Sequence, residues 1–189
     1  MWCAREAVKE NFAVINADDF YGADSFAQLG KFLAAARGTE WAMVGFKLGN
    51  TLSEHGAVSR GVTVCDAAGK LVNITETHGI TPADVGAGPG KKFSSETFVS
   101  MNCWGFTSEL FTGLDTQFRE FLAARLAESK AEFYLPGSVS TMIGRGQAAV
   151  RVLPTDSSWF GITYRDDKPR VSVAIAELVR AGKYPARLW

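Results

Sequence analysis

Residues 12–22 read FAVINADDFYG, and the organisation of the chain follows from how that stretch folds. Phe12 to Ala17 carries no charge, the pattern of a strand covered on both faces, and it stops at the adjacent acids Asp18 and Asp19. After Gly22, the apolar residues Phe26, Leu29, Phe32, Leu33 and Ala36 recur at steps of three and four from Ser25 to Arg37, with Ser25 and Gln28 spaced as a capping box. Glu40 to Leu48 (EWAMVGFKL) then reads as a second buried strand, completing a β-loop-α-β unit of the kind that builds parallel sheets. The two carboxylates are therefore expected at the carboxyl edge of such a sheet, where α/β proteins bind ligands.

Working outward, Met1 to Glu10 is rich in helix formers without a capping residue in front and reads as the end of a helix. Gly61–Asp66 and Lys70–Thr77 flank a short turn through Gly69, a hairpin signal. Thr81 to Lys92 holds two prolines and three glycines and reads as an irregular loop. Thr97–Phe106 returns to strand character, Ser108–Leu126 shows one apolar helical stripe, and Ser138–Arg145 reads as a further helix. Strands are expected at Ala148–Leu153 and Trp159–Tyr164. A final helix starts near Pro169 and ends at Gly182.

At 189 residues, with 47% hydrophobic and 21% charged, the chain suits one folded α/β domain spanning residues 1–189. Lysine plus arginine number 20 against 20 acids, so no net charge steers it to nucleic acid or an anionic membrane. Cys3, Cys65 and Cys103 are an odd, widely spaced set, and with only His55 and His78 beside them neither a disulfide scaffold nor a structural zinc site is expected. No apolar run approaches membrane-spanning length and no secretory succession opens the chain, which points to the cytoplasm.

Asp18 and Asp19 suit magnesium, which takes one or two carboxylate oxygens and keeps its other positions for water and phosphate; an Asx-type turn would use the same residues. GAGPGKK, Gly86 to Lys92, has the glycines of a phosphate cradle but lacks the preceding strand and the following Lys-Ser/Thr of a P-loop, so a flexible loop is the better reading. His78 is expected in an exposed loop. Cys65 and Cys103 are expected to act as small buried hydrophobes.

NADDFYG (16–22), VSRGVTVCD (58–66), ITET (74–77), VSMNCWGF (99–106) and WFGITYRDDKP (159–169), in that order, resemble the sugar-1-phosphate nucleotidyltransferases, or nucleotide-sugar pyrophosphorylases. The resemblance implies a Rossmann-like, mixed but mostly parallel sheet flanked by helices. It implies transfer of a nucleoside monophosphate from a nucleoside triphosphate to a sugar 1-phosphate, with release of pyrophosphate and help from Mg2+. By that similarity Asp18 is the catalytic, metal-holding aspartate with Asp19 beside it, and Gly61, Glu76 and Asn102 contact the sugar. Gly61 also suits a strand bulge or close approach, Glu76 an exposed strand position, and Asn102 a bond to a backbone carbonyl.

Two departures from the pattern stand out. Gly161 occupies the place of the second metal aspartate, which leaves Asp166 or Asp167 as displaced ligands or as caps of the final helix. Nothing like the family's glycine-rich nucleotide loop precedes Trp2, so the expectation is an N-terminally truncated version of the fold with weak turnover by itself. Such a fold would expose an edge beside Phe12–Ala17, which a homo-oligomer could cover. A glycosyltransferase using a nucleotide-sugar donor and a non-catalytic nucleotide-sugar binding remnant are the alternatives.

Overall fold

The computed structural model describes residues 1–53, 56–161, 165 and 167–187. Six strands form the main sheet: β1 (Phe12–Val14), β3 (Glu40–Lys47), β4 (Val58–Cys65), β5 (Leu71–Ile80), β6 (Phe98–Phe106) and β7 (Ala149–Thr155). Their order is β5-β4-β6-β3-β7, with β1 also on β6. The short β2 (Asp19–Phe20) and β8 (Phe160–Gly161) pair with each other outside it. The described residues also form four α-helices: α1 (Ala23–Ala35), α2 (Leu110–Arg125), α3 (Leu135–Gly144) and α4 (Asp167–Arg180).

The mixed α/β sheet flanked by helices is as expected, but its balance of directions is not. Among the described strands only β3 and β7 pair in parallel, from Glu40↔Ala149 to Phe46↔Thr155; the other strand pairings are antiparallel. The β-loop-α-β unit does connect two parallel strands, β1 and β3, yet β6 lies between them and pairs antiparallel with both. A strand buried on both faces has the same apolar run whichever way its neighbours point, so periodicity could not reveal the insertion.

Side chains alternate along β3: Trp41 and Met43 enter one core, Ala42, Val44 and Phe46 the other. The first core is closed by Leu110, Phe111 and Leu114 of α2 with Val139 and Met142 of α3, the second by Leu29 of α1. α1 presses so close to β6 that a Cβ on Gly105 would stand 2.7 Å from Leu29 Cδ1. Any side chain there would force Leu29 to move.

Several local expectations are corrected. Residues 1–10 hold a single 3-10 turn, Trp2–Ala4, in place of a helix end. Ser25 is not a cap: α1 starts at Ala23 behind Gly22 (φ 77°), and Ser25 Oγ donates to Tyr21 O at 2.7 Å from inside the helix. His78 lies within β5, not in a loop. Of the strand expected at Trp159–Tyr164, residues 160 and 161 form β8, and 162–164 lie outside the described residues. All three cysteines are free, Cys103 buried and Cys65 half-buried. No described helix is long and apolar enough to cross a membrane.

Candidate active site

The site arises from an interruption in β6. On the edge away from β3, Val99 and Ser100 pair with Val62 and Gly61 of β4, while Trp104 to Phe106 pair with Val14 to Phe12 of β1. Neither strand pairs with Met101–Cys103. Because β1 and β4 both run antiparallel to β6, the end of β1 and the start of β4 face each other across that gap. On the β3 side, Met43 meets Trp104 and Gly45 meets Ser100, so two residues of β3 span four of β6. The surplus is even, which preserves the alternation of faces while the backbone bulges.

Asn102 sits at the crest of the bulge with φ 59°, the sole non-glycine residue in the left-handed region among the described residues. Such a conformation costs free energy for most L-residues and is best tolerated by Asn after Gly. Its N–H donates to Ser100 Oγ at 3.3 Å, and the residue is exposed, so its amide is presented to the gap without being buried among apolar neighbours.

A cleft of about 250 Å³ opens there, and Asp18, Asp19, Gly61, Glu76 and Asn102 all line it. Those five residues come from four separate stretches of the chain: the acidic turn at β2, and strands β4, β5 and β6. Asp167 does not line the cleft; it is the first residue of α4. Asp166 lies outside the described residues. Gly61 stands opposite Glu76 on β5, and a Cβ on it would lie 2.9 Å from Ile74 Cδ1 and 3.3 Å from Ser100 Cβ. Both the close approach of a strand and an open cleft floor follow from that missing side chain.

The two acids are held differently. Asp18 is exposed at the cleft. Asp19 is half-buried in β2, where its Oδ2 accepts from Asn16 Nδ2 at 2.9 Å and lies 3.1 Å from the Tyr21 hydroxyl. That hydroxyl also accepts from Asn16 N–H (3.1 Å) and lies 2.9 Å from Met101 O, tying the acidic turn to the bulge of β6. Burial pushes the Tyr21 phenol well above its ordinary value, with the Asp19 charge adding to it, so the hydroxyl stays protonated and able to donate.

Gly161 is the β8 partner of Asp19, and a Cβ there would stand 3.3 Å from Asp19 Oδ1. The position where the resemblance implies a second carboxylate is thus beside Asp19 but bears no side chain. Among the described residues no group of three or more His, Cys, Asp or Glu could hold a metal. What the cleft offers is the sparser set, one or two carboxylate oxygens, that suits magnesium when phosphate and water complete the shell.

Arg60, Trp159 and the Ser59–His78 pair were not assigned to the site from sequence. Arg60 lines the cleft with its guanidinium over the Trp159 ring, Cζ 5.1 Å from the centroid. Burial pulls its pKa down to about 10, against the raising influence of Asp19 and Glu76, so it remains charged at neutral pH. Ser59 Oγ is 2.9 Å from His78 Nδ1 across the hairpin. A visible signal existed: Arg60 is the single charge inside the strand VSRGVTVC. The lysines of GAGPGKK turn to their own loop, Lys91 Nζ donating to Ala83 O at 2.7 Å and Lys92 pairing with Asp84 at 2.7 Å, which agrees with a loop and not a phosphate cradle.

Solved structures share this architecture. The chain aligns over 94% of its length with an inositol-1-phosphate CTP transferase of T. maritima (TM-score 0.56, 12% identity). It aligns over 92% with a CTP:phosphocholine cytidylyltransferase of Streptococcus pneumoniae (0.56, 12%) and over 98% with a UTP-bound UGPase of Acinetobacter baumannii (0.53, 9%). The fold is the one these nucleotidyltransferases share. The chain spans 60%, 61% and 56% of their respective lengths. No protein-family model and no curated protein sequence matches it.

Proposed function

We propose that the cleft serves nucleotidyl transfer to a sugar 1-phosphate. The observation that carries this reading is the convergence of Asp18, Asp19, Gly61, Glu76 and Asn102 on one cleft of a nucleotidyltransferase fold. In the reaction a phosphate oxygen of the sugar phosphate bonds to the α-phosphorus of a nucleoside triphosphate as the bond to the β-phosphate oxygen breaks, and pyrophosphate leaves with that oxygen. Such a transfer depends on alignment and charge stabilisation more than on acid–base chemistry.

Asp18 is the residue placed to hold Mg2+, with Asp19 beside it fixed by Asn16 and Tyr21. When bound, the ion neutralises phosphate charge and orients the reacting groups. Glu76 accepts from sugar hydroxyls, Asn102 offers both a donor and an acceptor, and Gly61 leaves room for the ring between them. The free cysteines suit a reducing compartment, and we place the activity in the cytoplasm.

A pyrophosphate-release assay with UTP or dTTP, glucose 1-phosphate and magnesium tests the reading. We expect slow release that requires both substrates, because the described cleft sets three carboxylates against one cation, and a fall of about 100-fold or more in Asp18→Asn. Release that ignores the sugar phosphate or survives that substitution overturns it. Cleavage of a nucleotide-sugar donor to nucleoside diphosphate, without pyrophosphate, would instead identify a glycosyltransferase.

A further inference from the structure

A phosphorylated substrate brings its negative charge into a cleft walled by Asp18, Asp19 and Glu76. Arg60 is the one cation among the described residues lining it. Asp19 and Glu76 act on it through space, and it forms no ion pair with a described carboxylate. Its fixed partners are neutral: Nε donates to Thr51 Oγ1 at 3.1 Å, Nη1 to Ser59 O at 2.7 Å, and Nη2 to Thr51 O. Beneath the guanidinium lies the Trp159 ring.

This arrangement orients a fork without neutralising it. Of five guanidinium N–H groups the described residues engage three, which leaves one on each Nη. Among the described residues no carboxylate contacts this half-buried cation, and burying a charge is costly unless something anionic completes it. The adjoining Gly61 and its cross-strand partner Glu76 place a hydroxyl-accepting carboxylate next to that fork.

Resting on the proposed function, we propose that Arg60 is the phosphate-binding residue of this cleft. It grips a substrate phosphate through its two remaining Nη–H donors while Thr51 and Ser59 hold the guanidinium in place. Phosphate seated there brings the attached sugar alongside Glu76 and Asn102.

Calorimetric titration of wild type, Arg60→Lys and Arg60→Gln with inorganic phosphate, glucose 1-phosphate, UTP and glucose provides the test. Arg60→Gln should weaken phosphate binding about 30-fold, the loss of a charge-assisted donor pair, with glucose affinity unchanged. Arg60→Lys should retain much of the phosphate affinity even though it loses the fork to Thr51 and Ser59. A role confined to bracing those carbonyls would lower the melting temperature of both variants alike and leave phosphate affinity intact.

Weakening on glucose 1-phosphate assigns the site to the sugar phosphate; weakening on UTP alone supports the site and assigns it to the triphosphate. Unchanged affinity for every anion in Arg60→Gln overturns the proposal. Should that variant not fold, phenylglyoxal modification of the wild type decides: phosphate should shield Arg60 from the reagent, and equal modification with and without phosphate overturns the assignment. Loss of phosphate binding without any pyrophosphate release would sink the proposed reaction and leave the Arg60 site standing. Pyrophosphate release with unaltered binding in Arg60→Gln would do the reverse.

Discussion

Toward β3, one strand accompanies β6 on both sides of its bulge, pairing at Phe98–Ser100 and again at Trp104–Gly105, whereas on the opposite edge β6 is shared between two strands, β4 at Val99–Ser100 and β1 at Trp104–Phe106, with a gap between them at Met101–Cys103. The β3 side is lined with large buried groups: Trp41, Met43, Phe46, Trp104 and Phe106 are all at most 1% exposed. The gap side collects Asn16, Asp18, Asp19, Arg60, Glu76 and Asn102. One strand thus carries the core along one edge and the cleft along the other. A broken ladder leaves backbone and side-chain polar groups facing a cavity, which a continuous sheet could not do.

The sharpest way to break this comparison is at Phe106, which lies 5.4 Å from Trp41 edge-on and 5.8 Å from Trp104 in a stacked pair. Phe106→Ala should cost about 3–5 kcal/mol in urea denaturation. A loss under about 1 kcal/mol would mean that the paired edge does not carry the stability assigned to it.

A smaller effect is expected at the bulge itself. Asn102→Ala should destabilise by about 1 kcal/mol because alanine lacks the local polar contacts that make the left-handed conformation tolerable, while Asn102→Gly should stay within about 0.5 kcal/mol of wild type. Both should weaken glucose 1-phosphate binding in calorimetry. Equal stabilities for the two variants would show that the backbone there is not strained.

The smallest effect belongs to the rim, away from both edges. Asp84 pairs with Lys92 and accepts from Thr81 N–H and Oγ1 at 2.9 and 2.6 Å, and the lysine first, then the threonine, hold its carboxyl below the usual aspartate range. A depressed folded-state pKa stabilises the native loop above the unfolded value of about 4, and that stability is lost as pH falls through the folded value. Hydrogen exchange over residues 81–93 should therefore quicken as pH drops below about 4 relative to intrinsic rates, and Asp84→Asn should remove the pH dependence. An unchanged profile in that variant would refute the link.

Much of this was legible along the chain. The helical stripe at Ser108–Leu126 became α2, and the turn through Gly69, with φ 74°, joined β4 to β5. Among the described strands β1 pairs with β6 alone. Asp18 and Asp19 stand out as adjacent acids closing an uncharged run and Asn102 as a polar residue in an apolar strand, whereas Gly61 and Glu76 are pointed to only by the resemblance of their segments. Arg60 was harder to interpret, since one arginine in a strand says nothing of Trp159, which follows nearly a hundred residues later.

Local order decided which segments are strands and helices, because period and turn chemistry act over a few neighbouring residues. Tertiary structure decided that β6 slides between β1 and β3, and that Asn102 at its bulge lines one cleft with two acids from another segment and with Arg60. Those outcomes depend on pairings between residues distant in the chain, and the free energy of such pairings leaves no period in the sequence of either partner.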